Sequence, residues 1–162
     1  MAEWQTETTE STPSLQVSPV TKAAVHGMMW MLRRNLLAPM GNQLMVITTV
    51  GRKTGKHRST PIGVLEDGEV LVATTRASGA SNWFRNMRKQ SLVTLEYRGR
   101  KFQARGQVVT DPAERQRLFE LYRRERRDNF DRYFGVSADA APEALAQALA
   151  TRAFVQFYPE KV

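Results

Sequence analysis

From Leu44 onward the chain is a succession of short apolar runs separated by glycine turns, and this rhythm limits the possible folds more than any other feature. Leu44–Val50 reads as a buried strand, and His57–Leu65 as its antiparallel partner, with Pro61 marking an edge or a bulge. "EDGE" at 66–69 is a hairpin signal leading into a third strand, Val70–Thr75. Leu92–Arg98 and Lys101–Val109 pair across Gly99-Arg100, and Arg152–Tyr158 is the last strand. Six strands joined mostly as hairpins, with helices outside, predict an α+β, mainly β fold: a small six-stranded antiparallel barrel. An open sheet is the alternative.

Helical signals surround this core. Residues 1–18, rich in Thr, Ser, Glu and Pro, bury too little to fold and are expected to be a disordered tail. Val20–Leu37 is an amphipathic helix candidate with Met28, Met29, Trp30, Met31 and Leu32 crowded together. Such a cluster either packs over the barrel mouth or makes peripheral membrane contact through residues 20–37. A short helix is expected at Asn82–Lys89 with Ser81 as cap. Asp111-Pro112-Ala113-Glu114 opens a longer one running to about Arg127, and another covers Pro142–Ala150. The domain division is thus a 1–18 tail, a 19–38 helix and a 39–162 barrel.

Composition narrows the chemistry. The chain has no cysteine and two histidines, His26 and His57, so disulfides, thiolate chemistry and multi-imidazole metal sites are excluded; no metal ligand set is expected. No apolar run approaches the ~18 residues of a membrane span, and the acidic start does not resemble a secretory signal, which points to the cytoplasm. The net charge of +8 asks for an anionic partner. No nucleic-acid motif accompanies it, so a specific nucleic-acid partner is not expected.

Two stretches carry chemistry. "TTVGRKTGKHR" (48–58) sets Arg52, Lys53, Lys56 and Arg58 in one glycine-flanked turn. It is either a solubilising hairpin tip or a phosphate cradle, and it lacks the spacing of a Walker loop. "TTRASGASNWFRNMRK" (74–89) follows a strand with small residues, then opens a helix with Trp83 and Phe84 among cations. That arrangement lets a flat ligand approach the backbone near a helix N-terminus. Trp83 and Met87, four apart, are equally suited to packing the helix onto the barrel. In the arginine-rich stretch 113–134, Leu118, Leu121 and Tyr122 form a narrow apolar stripe, most arginines being expected on a solvated face. Tyr122, Tyr133 and Phe134 either line a pocket or pack. No serine–histidine–acid set is present, so an enzyme of this sequence would rely on an organic cofactor.

Read together, "ITTVGRKTGKHRSTPIGVLEDGEVLVATT", "GASNWFRNM" and "DPAERQRLFELY" resemble the deazaflavin (F420)-dependent nitroreductases, split-barrel proteins related to pyridoxamine phosphate oxidases, over residues 44 to 125. The resemblance implies F420 as cofactor, with FMN the alternative, and hydride transfer to a quinone, nitroaromatic or activated alkene. It implies Arg52, Lys53 and Arg58 as ligands of the F420 phosphate and its anionic tail. Thr74, Thr75 and Arg76 would lie along the deazaflavin, with Ala80, Ser81, Asn82 and Trp83 near its ring edge. Two residues are the catalytic candidates the resemblance implies: Thr75, which stands where relatives often carry serine, and Tyr133, the candidate for a substrate-facing tyrosine. A non-catalytic basic module remains the alternative from another class, and homodimerisation is left open.

Overall fold

The computed structural model describes residues 19–34, 43–79 and 81–161. The expectations for the 1–18 tail, for the end of the N-terminal helix beyond residue 34, and for Ala80 lie outside the described residues. Among the described residues seven strands form one antiparallel sheet: β1 Leu44–Val50, β2 His57–Gly63, β3 Leu65–Asp67, β4 Val70–Arg76, β5 Leu92–Tyr97, β6 Arg100–Val108 and β7 Arg152–Pro159. Their spatial order is β2-β1-β5-β6-β7-β4-β3. The two outermost strands, β2 and β3, are consecutive in the chain with only Val64 between them. The sheet must therefore curl until both of its edges meet one segment, as a split barrel requires.

The expected six strands become seven at that segment. Val64 donates its N–H to the Gln43 carbonyl (2.9 Å), and its own carbonyl accepts from the Arg126 guanidinium (3.0 Å). With its polar groups satisfied outside the ladders, Val64 ends β2 and lets β3 start in a new direction. Arg117 then grips Asp67 with a two-pronged contact (3.3 and 2.6 Å), fixing β3 to the helical layer. A smaller correction concerns the second hairpin, which turns at Arg98-Gly99. Tyr97 pairs with Arg100, and both turn residues take positive φ, as a tight turn of matching twist needs.

Alternation along the strands divides two cores. Met45, Ile47, Ala73, Leu95, Val155 and Phe157 point inward, and the barrel is plugged by Trp83, Phe84 and Met87 of helix α2 (Asn82–Lys89). Their strand neighbours Val72 and Phe154 face outward onto a second cluster. That cluster belongs to α3 (Pro112–Glu125), a 3-10 turn (Arg127–Asn129), α4 (Phe130–Phe134) and α5 (Pro142–Ala150). The Asp111 carboxylate accepts from the Glu114 N–H at 2.9 Å, capping α3. Its arginines are not simply a solvated face. Arg115 donates to the carbonyls of Leu149 and Arg152, and Arg123 to that of Ala138, so they knit the helices to the sheet end.

Helix α1 (Pro19–Arg33) lies against the outside of β1, not across the barrel mouth: Met29 and Leu32 are buried with Val46. Trp30 and Met31 remain exposed, with Arg34 over the Trp30 ring. No helix among the described residues is long and apolar enough to cross a membrane.

Gly106 on β6 sets how closely α2 can approach. A Cβ there would fall 2.7 Å from Met87 Sδ and 3.2 Å from a Phe157 ring carbon, inside a filled core. Gly106→Ala is expected to destabilise the fold by about 1–3 kcal/mol, read as a lower urea midpoint with an unchanged slope. An unaltered midpoint would mean that α2 seats loosely.

Candidate active site

The basic turn between β1 and β2 is tight. Gly51 donates to the Lys56 carbonyl (2.7 Å), Gly55 donates to that of Gly51 (2.8 Å), and Gly55 takes a positive φ of 68°. Arg52 is fastened to α2 from several sides. The Oδ1 of the buried Asn86 accepts from both the Arg52 backbone N–H (3.2 Å) and its guanidinium (3.0 Å). Asn86 Nδ2 donates to Thr49 Oγ1 (3.1 Å), and Lys89 Nζ donates to the Arg52 carbonyl (2.9 Å). Part of the Arg52 hydrogen-bonding capacity is therefore used inside the protein. The side chains of Lys53 and Arg58, by contrast, are exposed and make no hydrogen bond or ion pair among the described residues. Together with Thr60 and Asn82, these three cations line a cavity of about 500 Å³.

A second cavity, of about 490 Å³, lies beside it along the same two elements: β2 lends Thr60 to the first and Ile62 to the second, and α2 lends Asn82 to the first and Trp83 to the second. Thr74, Thr75, Arg76, Ser81 and Trp83 line it, so the part of the sequence-derived set expected along the ring converges here, apart from Asn82 and from Ala80, which lies outside the described residues. Thr75 is nearly buried and its hydroxyl lies 2.6 Å from that of Ser81. Ser81 stands at the expected cap position, yet its side chain makes no capping bond, and the first turn of α2 keeps N–H groups without a side-chain partner. Thr74 Oγ1 donates to the Ala153 carbonyl (3.0 Å) and serves the sheet. Trp83 both packs and lines: it is 7% exposed, with its ring edge-on to Phe84 at 5.9 Å. Met87 only packs.

Of the three aromatic candidates on α3 and α4, only Tyr133 opens on the cavity. Tyr122 is fully buried and donates to the Val72 carbonyl (3.2 Å); burial, then the neighbouring Tyr133, push its pKa up. Phe134 is core. Tyr133 fits over β2 because residue 63 is glycine: a Cβ there would meet its ring at 2.9 Å. The Tyr133 hydroxyl makes no hydrogen bond among the described residues.

Several lining residues were not singled out from the sequence. Asn86 carried one faint signal, its place one helical turn beyond Asn82. Ile62, Arg132 and Arg152 gave none, because only the strand register brings Arg152 directly opposite Arg76.

The two adjoining cavities suit an elongated ligand with a phosphate at one end and a flat polar ring at the other. Unpaired cations mark the first end; small hydroxyls and an indole mark the second. The fold places the chain among pyridoxamine phosphate oxidase-like split barrels. A Clostridium acetobutylicum protein related to general stress protein 26, of the pyridoxinephosphate oxidase family, matches at 11% identity over 82% of this chain and 85% of its own, with a TM-score of 0.53. A Listeria innocua protein described as a pyridoxamine 5'-phosphate oxidase matches at 15% identity over 80% and 94%, with a TM-score of 0.50. The heme storage protein HutZ of Vibrio cholerae matches at 12% identity over 85% and 92%, with a TM-score of 0.51. One fold thus serves proteins with different ligands, and the fold alone does not assign the cofactor.

The sequence does. Residues 18–139 match the profile of the F420H(2)-dependent quinone reductases, and the chain belongs to that family. It is an F420-dependent oxidoreductase, which decides between F420 and FMN and sets aside a non-catalytic basic module.

Asn86→Ala would leave the Arg52 N–H and the Thr49 hydroxyl without their partner in a buried place. A stability loss of about 1–3 kcal/mol is expected, with weaker F420 binding measured on the folded variant. Wild-type stability and affinity would show that the turn holds itself.

Proposed function

We propose that this protein reduces a quinone with F420, the cofactor's phosphate lying at the basic turn and its ring along β4 and the start of α2. The observation that carries this reading is the pair of free cations, Lys53 and Arg58, lining a cavity beside the one lined by Thr75, Ser81 and Trp83. When bound, reduced F420 supplies the hydride. Lys53 and Arg58 attract and hold the phosphate, and Arg52 adds a third positive charge while Asn86 keeps the turn in place. The Thr75–Ser81 hydroxyl pair, the open N–H groups of α2 and Asn82 offer polar contacts to the ring edge, as Thr74 and Arg76 do along β4. Trp83 forms an apolar wall that keeps water from the reacting faces.

Tyr133 takes the role nearest to chemistry. A quinone oxygen gains negative charge as hydride arrives, and a free hydroxyl beside it can donate a hydrogen bond or a proton. Quinones are favoured over nitroaromatics and activated alkenes by the family match.

Lys53→Ala and Arg58→Ala each remove a charge-assisted contact of about 1.5–3 kcal/mol, so each is expected to weaken F420 binding about tenfold or more. The melting temperature should hardly move, since both side chains are exposed. Unchanged affinity in both variants would place the phosphate elsewhere. Tyr133→Phe should lower kcat/KM for a quinone about a hundredfold while F420 affinity stays the same; full activity would remove Tyr133 from the reaction.

A further inference from the structure

The cavity beside Tyr133 holds more positive charge than a neutral quinone calls for. Arg76 and Arg152 stand directly opposite each other on β4 and β7, a like-charge cross-strand pair that costs stability. Arg132 of α4 lines the same cavity, and no carboxylate is among its lining residues. None of the three side chains makes a hydrogen bond or ion pair to an acceptor among the described residues, whereas Arg115, Arg117, Arg123, Arg126 and Arg127 of the helical layer do. Arg152 is half-buried, with its guanidinium over the Phe134 ring at 6.0 Å. Burial, then the Arg76 charge, lower its pKa, which is the mark of a cation waiting for an anion.

Arg76 belongs with the cofactor ring in the proposed function; the other two have no task there. We propose that Arg132 and Arg152 form an anion seat for the hydride acceptor, so that the preferred substrate is a planar quinone bearing a carboxylate. This rests on the quinone reductase reading for the ring that accompanies the carboxylate. The guanidinium forks match a carboxylate in charge and shape. Tyr133, next to Arg132 in the chain and lining the same cavity, would then meet the carbonyl end of the same molecule.

The test compares a naphthoquinone carboxylate with the matching carboxamide, which keeps the shape and removes the charge. Each is titrated calorimetrically into the full-length protein without cofactor, and their kcat/KM values are compared in the presence of reduced F420. The wild type is expected to favour the carboxylate about tenfold or more in both measurements, and Arg132→Gln and Arg152→Gln each to cut that preference about tenfold. Arg132 is exposed, so its variant keeps the test valid if Arg152→Gln fails to fold. Equal affinity for the two compounds in the wild type would overturn the proposal. It would be overturned equally if Lys53→Ala, and not Arg132→Gln, abolished the preference, since the carboxylate would then sit at the basic turn. A tenfold loss of F420 affinity in Arg132→Gln would assign these arginines to the cofactor instead. Failure of the wild type to bind F420 at all would contradict the reductase reading, while the cofactor-free titration still reports on the anion seat.

Discussion

The buried amide of Asn86 is the contact on which the rest of the site depends. One side chain on α2 reaches across more than thirty residues of sequence to hold both Thr49 at the end of β1 and Arg52 in the basic turn that follows it. A turn crowded with cations tends to splay, because its charges repel one another at close range. The amide oxygen accepts twice from Arg52 and absorbs part of that charge, and the Lys89 bond to the Arg52 carbonyl closes the clamp. Lys53 and Arg58 are thereby left facing one cavity. Because α2 also carries Trp83 and starts just after Ser81, the same clamp sets the distance between the cavity at the basic turn and the cavity lined by Thr75, Ser81 and Trp83.

The barrel contributes the second constraint. Its sheet begins and ends on one bent segment, and the bend at Val64 is held by Gln43 on one side and Arg126 on the other. Immediately before the bend, Gly63 leaves room for Tyr133. The feature that divides β2 from β3 thus also brings α4 over the cavity. In the helical layer Arg115 and Arg123, bonded to carbonyls, secure the sheet, while Arg132 on α4 and Arg152 at the start of β7 line the cavity without an acceptor among the described residues.

Much of this was legible in the sequence, for physical reasons. Strand periodicity from Leu44 to Val109 reports burial on one face, and the Asp111-Pro112 start of α3 follows from local backbone chemistry. The basic turn and the small-residue loop stood out because their composition departs from what a hairpin needs, and the structure sets both beside cavities. The division at Val64 was hidden, since it depends on Arg126, distant in the chain. Ser81 was placed correctly as a cap position but not as a partner of Thr75, because two short-range bonds competed and the tertiary one prevailed. Arg132 read as one arginine of a solvated stretch and Arg152 only as the start of a strand, since the sequence does not show the register that sets Arg152 against Arg76.

Hydride delivery from F420 to a quinone is the account's central claim, and an anaerobic stopped-flow experiment tests it most directly. Reduced F420 bound to the protein is mixed with a naphthoquinone, and the return of the oxidised cofactor's absorbance is followed. The account predicts rapid return in the presence of protein, far faster than in its absence, and no comparable reaction when reduced FMN replaces reduced F420. A rate no faster than the protein-free mixture, with F420 demonstrably bound, would contradict it.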